Sequence, residues 1–267
     1  MLNKFTVDVE DWFHGIAPDP ARWSLFERRC GVGTNALLRL LEPSGTKGTF
    51  FVLGDVARHE PEVVRAIAAA GHEIGSHGML HERVTELGPA RFRADLRQSI
   101  DTIEQIAGSK VVSYRAPFFS VDPGQNWFFE ILAEEGIRHD SSIFPARTPN
   151  YGSPGASREP YDALPGLREW PISVAPLGPC RLPFAGGGWF RMMPGALFRL
   201  LRARHRRLGI PFIFYIHPYE LDPEQPVLNG VSRGMRLRHT LSLARTEEKL
   251  RRLIEDTEFE PIAAGTA

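Results

Sequence analysis

Acidic side chains cluster at the end of the first apolar segment of the chain. Asp8, Glu10 and Asp11 lie within the short run Val7-Asp8-Val9-Glu10-Asp11-Trp12. Carboxylates this close repel one another, so they must be solvated, paired with cations or bound to a metal ion. Alternation along a strand would place Asp8 and Glu10 on the same side. An acidic turn after an edge strand would also explain the cluster.

A pair of histidines follows a second short β-rich segment. His77 and His81 are four residues apart, and two imidazoles at this spacing can reach one ion if the segment turns helically. Such pairs also occur by chance. Together with one carboxylate of the acidic cluster, however, they form a three-ligand set typical of a catalytic divalent metal with an open position for water.

Two further polar groups end other β-rich segments. A buried Arg115 would need a carboxylate partner and could hold one bidentately. Pro117 stiffens the turn that follows and leaves the Phe118 N–H as a candidate oxyanion donor. His217 ends an aromatic, apolar run, and the unperturbed pKa of histidine suits proton transfer near neutrality. The alternatives are an arginine that seals a barrel rim and a core histidine bonded to the backbone.

Short β-rich segments alternate with helical patterns, which favours a mostly parallel sheet with helical crossovers, open or closed into a barrel. Strands are predicted at Lys4–Glu10, Gly48–Leu53, Glu73–Ser76, Ser113–Ala116, Glu169–Val174 and Phe212–His217. Helices are predicted near 35–42, 60–70, 89–107, 127–135, 194–208 and 245–257. Functional groups of such folds collect at the C-terminal ends of the strands, and all four polar groups lie there.

The predicted architecture is a single domain over residues 1–267. Residues 145–192 are rich in proline and contain Gly186-Gly187-Gly188, so we expect long loops over the active-site face. Aromatic residues continue through this region, which argues against a linker. Residues 228–267 are expected to form a C-terminal extension with a terminal helix.

Composition excludes several classes of protein. The 32 basic and 32 acidic side chains leave no net charge, so there is no basic surplus to suggest nucleic-acid binding. No apolar stretch approaches the ~20 residues that a membrane span requires. Two cysteines, Cys30 and Cys180, make a disulfide framework unexpected. The N-terminus shows no leader-like pattern, and we expect a globular, cytoplasmic protein.

The order of these motifs resembles the polysaccharide deacetylases of carbohydrate esterase family 4, the nodulation-type chitooligosaccharide deacetylase homology domain. Five longer runs are most similar to the exosortase-associated subgroup found in bacterial exopolysaccharide loci. These runs are Val7–Phe13, Tyr114–Pro117, Asp140–Pro145, Gly186–Arg191 and His217–Pro226.

The resemblance implies a distorted (β/α) barrel of about seven parallel strands. It also implies a divalent metal, usually zinc with cobalt, nickel or manganese as alternatives, that activates water to attack an N-acetyl carbonyl. On this resemblance the metal ligands would be Glu10, His77 and His81.

The remaining catalytic roles also follow from the resemblance. Asp8 would be the general base and Arg115 the clamp that orients it. His217 would be the general acid that protonates the leaving amine. The carboxylate that orients His217 is left open between Glu169 and Glu220.

The acidic motif departs from the pattern of many members of this family. They have two adjacent aspartates, the first a base and the second a ligand, whereas Val9 here separates Asp8 from Glu10. A shifted register would make Glu10 the base and Asp11 the ligand. We prefer Asp8 and Glu10 and keep Asp11 as an alternative ligand.

The substrate contacts are predicted from aromatic residues. Trp12, Trp189 and Phe190 are candidate sugar platforms, because flat apolar faces match pyranose rings; core packing is the alternative for each. The resemblance implies that the Phe118 N–H faces the oxyanion.

The sequence therefore predicts a metal-dependent hydrolase that removes N-acetyl groups from amino sugars of a bacterial polysaccharide or its precursor. A related branch of this barrel hydrolyses amides such as allantoin, sometimes without metal, and the presence of both His77 and His81 favours metal use. An inactive glycan-binding relative is the third hypothesis, but it would have lost a ligand or the base, and neither is missing.

Overall fold

The chain folds around a curled, mostly parallel β-sheet. The computed structural model describes residues 2–17, 19–149, 151–178, 180–227 and 232–264. The strands are β1 Asn3–Val9, β2 Thr49–Val52, β3 Glu73–Ser76, β4 Ser113–Tyr114, β5 His139–Asp140, β6 Tyr161–Leu164, β7 Leu167–Glu169, β8 Val174–Leu177, β9 Cys180–Pro183, β10 Ile213–Ile216 and β11 Phe259–Glu260.

Nine of these strands form one sheet, in the order β10-β1-β2-β3-β4-β5-β7-β6, and β11 pairs with the start of β1. The seven strands from β10 to β7 run parallel, and β6 is antiparallel to β7. The Ser173 N–H donates to Ile213 O at 3.2 Å, so the chain beyond β7 also contacts β10. The sheet curls into a half-barrel, which confirms the predicted distorted barrel with about seven parallel strands.

Helices cover the sheet between successive strands. They are α1 Cys30–Leu41, α2 Gly54–His59, α3 Pro61–Ala69, α4 Val84–Ala107, α5 Asn126–Glu134, α6 Gly187–Met192, α7 Gly195–Arg206, α8 Arg233–Thr240 and α9 Thr246–Glu255. Short 3₁₀ turns lie at Pro20–Leu25, Glu42–Ser44, Pro117–Phe119, Pro218–Leu221 and Leu243–Arg245. Within α4, Gly88 has a φ of 69°, so the regular helix starts at Pro89 as predicted.

The main core lies between the sheet and these helices. Strand β1 is buried along almost its whole length and pairs with β10 on one side and β2 on the other. Burial on both faces is typical of a parallel strand between covering helices. The interpretation of β1 as an edge strand is therefore wrong, and its acidic C-terminal end lies in the middle of the sheet.

Residues 145–192 are more ordered than predicted. They contain β6 to β9 and α6, and the predicted strand at Glu169–Val174 is instead the end of β7 and the start of β8. Pro171 between them has no N–H to donate to a ladder, which ends the pairing. These elements have three to six residues each, too few to produce a clear period in the sequence.

Two exclusions made from composition can be compared with the structure. Cys30 and Cys180 are both free thiols, which confirms that they form no disulfide with each other. Among the described residues, no helix combines the length and apolar character that crossing a membrane would require.

Candidate active site

Three buried side chains converge at the C-terminal ends of β1 and β3. Candidate ligand atoms of Glu10, His77 and His81 all lie within 4.8 Å of one another, and each residue is at most 7% exposed. The segment between the histidines is not helical, although a helical turn was the condition under which both imidazoles were expected to reach one ion. Left-handed φ angles of 76° at Gly78 and 53° at His81 turn the second imidazole back towards the first.

The donor set of this cluster fits a divalent metal. His77 Nδ1 lies 2.8 Å from Arg115 O, which orients the ring as an outer-shell partner orients a metal-binding histidine. Glu10 Oε2 lies 2.5 Å from His81 Nε2. His81 Nδ1 is buried and lacks a hydrogen bond from any described residue. Buried polar atoms rarely remain unpaired, and two histidines with one carboxylate form a common zinc-binding set.

Asp11 does not belong to this cluster, so its prediction as an alternative ligand is wrong. Its carboxylate accepts hydrogen bonds from the backbone N–H groups of Trp12 at 2.9 Å, Arg29 at 2.8 Å and Cys30 at 3.2 Å. Arg29 is the N-cap residue of α1 and Cys30 is its first residue. Asp11 therefore caps that helix, in agreement with the preference of carboxylates for helix N-termini, and the shifted register of the acidic motif is excluded.

Asp8 and Arg115 form a buried ion pair beside the Glu10 cluster. Arg115 Nη1 lies 2.6 Å from Asp8 Oδ1, and their side chains are 0% and 3% exposed, respectively. The guanidinium also donates to Thr6 Oγ1 at 2.8 Å, Ser141 O at 2.9 Å and Ser141 Oγ at 2.7 Å. The predicted contact between Arg115 and Asp8 is thus present, and the arginine is held in place from three sides.

His217 follows β10, where it faces Asp8 of β1 and Glu10, the residue that follows β1. Its Nε2 is 3.7 Å from Glu10 Oε1 and 3.9 Å from Asp8 Oδ2, and its Nδ1 is 3.1 Å from Glu220 Oε2. Glu220 is therefore the carboxylate that orients His217. Glu169 is not, because it accepts a hydrogen bond from the Ile143 N–H at 3.0 Å at a different place in the fold.

The electrostatics of the site follow from burial and from these pairs. Burial lowers the pKa of His77 to about 4, against the nearby charges of Asp8 and Glu10. For Glu10, burial opposes ionisation, but the charges of His81, His217 and His77 and the hydrogen bond of His81 hold its pKa well below the usual range. For His217, burial is outweighed by the hydrogen bond and charge of Glu220 and by the charges of Glu10 and Asp8, so its pKa rises to about 9.

One cavity of about 250 Å³ is lined by Asp8, Glu10, His77, His81 and His217. Phe118 and Trp189 also line it, as predicted for the oxyanion turn and a sugar platform. Trp12 reaches the cavity wall but is 3% exposed and packs against Phe13 and Phe26. It therefore has no free face for a sugar ring.

The prediction of Phe190 as a sugar platform is wrong. The ring is 0% exposed and packs edge-on against Phe198 and Phe214 in the main core. The amphipathic short helix α6 turns Trp189 outwards and its neighbour inwards, an orientation that the run of aromatic residues did not reveal.

Sequence reasoning missed several other cavity residues. These are Arg83, Tyr151, Arg191, Tyr215, Tyr219, Met235, Arg238 and His239. Arg191 belongs to the glycine-rich run and Tyr219 follows His217, so their positions in recognised motifs were a usable signal. Residues from α8 carried no such signal, since that helix is polar and lacks an apolar period.

A curled parallel sheet with a buried Glu-His-His cluster at its C-terminal edge defines an α/β protein with a candidate metal centre. Residues 18–126 match the family model described as polysaccharide deacetylase, and residues 141–266 match a domain of unknown function, DUF3473.

Known relatives and a solved structure agree with the first match. The chain is 32% identical over 121 residues to a peptidoglycan deacetylase-like protein of Gibberella zeae, covering 45% of this chain and 34% of the relative. It is 28% identical over 155 residues to the peptidoglycan deacetylase of Helicobacter pylori, covering 58% and 51%. The chain thus spans about half or less of the length of these relatives.

A crystal structure of a candidate polysaccharide deacetylase from Mycobacterium smegmatis covers 97% of this chain and 91% of its own, with a TM-score of 0.62 and 26% identity. Residues 18–126 therefore match the polysaccharide deacetylase family, and the fold of nearly the whole chain is similar to that of this solved structure.

The two matched regions contribute different parts of the cavity. His77 and His81 lie in the first region, whereas His217 and Tyr219 lie in the region whose function is unknown. The sheet joins them, because β1, which carries Asp8, pairs with β10 of the second region and with β2 of the first. The cavity is therefore complete only when both regions are present.

Proposed function

We propose that this protein is a metal-dependent N-deacetylase of amino sugars in a bacterial polysaccharide or its precursor. The observation that carries this proposal is the convergence of a metal-type cluster, a buried carboxylate and an oriented histidine on one cavity. The match of residues 18–126 to the polysaccharide deacetylase family, and the similarity to a peptidoglycan deacetylase, support it.

Glu10, His77 and His81 would hold the metal, and we assign zinc because the cluster has two imidazoles and one carboxylate. When bound, such an ion polarises a carbonyl and lowers the pKa of water. The cluster does not include Asp8, so the Asp8 carboxylate remains free to accept a proton.

The chain's own residues account for the proton transfers. Asp8 takes one proton from the attacking water while Arg115, 2.6 Å away, holds its carboxylate in a fixed position. The water oxygen bonds to the acetyl carbon, and the C–N bond then breaks. His217 delivers a proton from Nε2 to the leaving nitrogen, so the products are acetate and a free amine. The Phe118 N–H is our candidate donor to the oxyanion.

The surroundings of the cavity suit an extended glycan. A second cavity shares Arg83, Phe119 and Tyr151 with the first, and a third shares Tyr151, Trp189 and Arg238 among others. Aromatic side chains at both junctions could carry sugar rings. We therefore propose a polymeric or oligomeric substrate. An exopolysaccharide is our preferred class, and the cytoplasm stays our prediction for the place of action.

We also propose that residues 1–267 act as one catalytic domain, because the cavity draws on both matched regions. The Asn3–Val9 and Ile213–Ile216 strands, which lie at opposite ends of the sequence, are direct neighbours in the sheet.

Acetate release tests the proposed activity. The purified protein, loaded with zinc, is incubated with N-acetylglucosamine oligomers of increasing length and, separately, with allantoin. We expect acetate from the oligomers, loss of this activity with a chelator, and recovery on adding zinc. Turnover of allantoin without acetate release would contradict the substrate class, and glycan binding without any turnover would identify a binding protein instead.

A further inference from the structure

Arg191 is a buried arginine that has no role in the mechanism above. It ends the glycine-rich run Gly186–Arg191 and is 6% exposed. Gly186 and Gly187 allow this run to approach β10 closely, because a Cβ on Gly186 would lie 2.0 Å from Tyr215 O. The close approach places α6, and with it Arg191, beside the end of the strand that carries His217.

One side of the Arg191 guanidinium contacts the partner of the proposed general acid. Arg191 Nε lies 3.2 Å from Glu220 Oε1, and both side chains are almost fully buried, at 3% and 1% exposed. The other carboxylate oxygen of Glu220 lies 3.1 Å from His217 Nδ1. An arginine, a carboxylate and an imidazole are therefore connected in series, and the imidazole Nε2 faces the cavity.

The other side of the guanidinium contacts the last turn of α8. Arg191 Nη1 donates to His239 O and Nη2 donates to Arg238 O, both at 2.7 Å. A stack of three rings makes a parallel connection: His217 lies on Tyr219 at 4.8 Å between centroids, and Tyr219 lies on His239 at 5.3 Å.

Helix α8 has few other anchors, although it forms part of the cavity wall. Its Met235 and Arg238 line the cavity, yet none of the residues in α8 is buried. His239 Nε2 is 3.0 Å from Trp12 O. Because carbonyl groups at a helix C-terminus carry partial negative charge, a buried guanidinium is well suited to hold this end.

Resting on the proposed deacetylase function, we propose that Arg191 is a positioning residue that couples the substrate-facing wall to the proton donor. It holds the Glu220 carboxylate against His217 and, with the same guanidinium, fixes the end of α8. The α8 segment is then an integral part of the active site, and the region of unknown function supplies both the wall and the acid.

The test compares Arg191→Met and Arg191→Lys with Arg236→Met, a control on α8 at a residue that does not line the cavity. Each zinc-loaded protein is assayed on an N-acetylglucosamine oligomer and on an aryl acetate ester. General acid catalysis contributes about 10²–10⁴-fold, so partial misalignment in Arg191→Met should lower kcat on the amide by roughly 10–100-fold. The ester should lose far less, because its leaving group needs little protonation.

Loss of the wall contacts gives a second expectation. Arg191→Met should raise KM for the glycan, and Arg191→Lys should recover part of kcat through its charge while KM stays high, since lysine cannot bridge both carbonyls. Equal losses on amide and ester, or unchanged kinetics in Arg191→Met, would overturn the proposal.

Hydrogen exchange separates this proposal from the proposed function. Backbone amides of 233–241 should exchange faster in Arg191→Met, or in Arg191→Lys if the first variant does not fold, than in Arg236→Met. Unchanged exchange would refute the anchoring of α8. If exchange is faster in the Arg191 variant but the unmutated protein has no deacetylase activity, the anchoring of α8 stands and only the proposed function is refuted.

Discussion

Replacing Asp8 by asparagine should abolish turnover while leaving the metal in place. The carboxylate is next to the candidate metal ligands but is not one of them, and asparagine is close to it in size. Removing a general base costs about 10²–10⁴-fold in rate, so we expect kcat to fall by at least two orders of magnitude. Metal content should remain equal to that of the unmutated protein.

The same substitution should also lower stability, because it leaves the Arg115 charge without its partner. Breaking a buried ion pair costs roughly 3–5 kcal/mol. Arg115 keeps its hydrogen bonds to Thr6 and Ser141, and asparagine still offers an oxygen, so we expect a loss of about 3 kcal/mol. For a chain of this size that corresponds to a fall in Tm of roughly 6–12 °C.

The assay combines acetate release, metal analysis and calorimetry on Asp8→Asn and on Asp101→Asn, an exposed control on α4. The control should behave as the unmutated protein in all three measurements. If Asp8→Asn keeps most of the activity, Asp8 is not the base. If Asp8→Asn also loses the metal, Asp8 belongs to the ligand set.

Three further predictions concern the ligands, the pH dependence and the substrate platform. His81→Ala should lose both metal and activity. Asp11→Ala should keep the metal and lose about 1 kcal/mol of stability, because Asp11 caps a helix. Metal analysis and thermal unfolding check both variants, and loss of metal from Asp11→Ala would show that Asp11 is a ligand. Burial, with the charge of Asp11, raises the pKa of Glu60 from 4.5 to about 7, so the folded state binds a proton that the unfolded chain has released. Stability should therefore fall as pH rises from about 4.5 to about 7, and Glu60→Gln should reduce this fall in unfolding experiments at pH 5 and pH 8; an unchanged slope would contradict the assignment. Trp189→Ala should raise KM for oligomers by about 10-fold, corresponding to roughly 1–1.5 kcal/mol of ring stacking, with kcat nearly unchanged. Steady-state kinetics on short and long oligomers test this, and a lower kcat with an unchanged KM would contradict it.

The residues at strand ends were predictable from the sequence because parallel strands bring their C-terminal ends to one edge of the sheet. Asp8, His77 and His217 follow this rule and line one cavity, and Arg115 follows it as the ion-pair partner of Asp8. The rule needs only an approximate position for each strand. Errors of one or two residues in the strand bounds therefore did not change which residues were assigned to this edge.

Choices between neighbouring residues were not predictable in the same way. Glu10 and Asp11 differ by one position, yet one faces the histidines and the other caps α1. The same difficulty applies to Trp189 and Phe190, of which only the first lines the cavity. In both cases the turn that follows a short element decides the direction of the side chain, and that turn is set by distant packing.

The role of α8 was the least accessible to sequence reasoning. His239 in this helix contacts Arg191 and Trp12, which are distant in the sequence, and also Tyr219, which is nearer. A helix held by such long-range contacts needs no apolar face of its own, so neither periodicity nor composition indicates where it will lie.

The most direct test of the account is the metal content of the purified chain and its His77→Ala variant, measured on samples whose acetate release from N-acetylglucosamine oligomers is also recorded. We predict one divalent ion per unmutated chain together with acetate release, and neither in the variant. A chain that binds no divalent metal, or a His77→Ala variant that binds it as tightly and remains as active, would contradict the central claim.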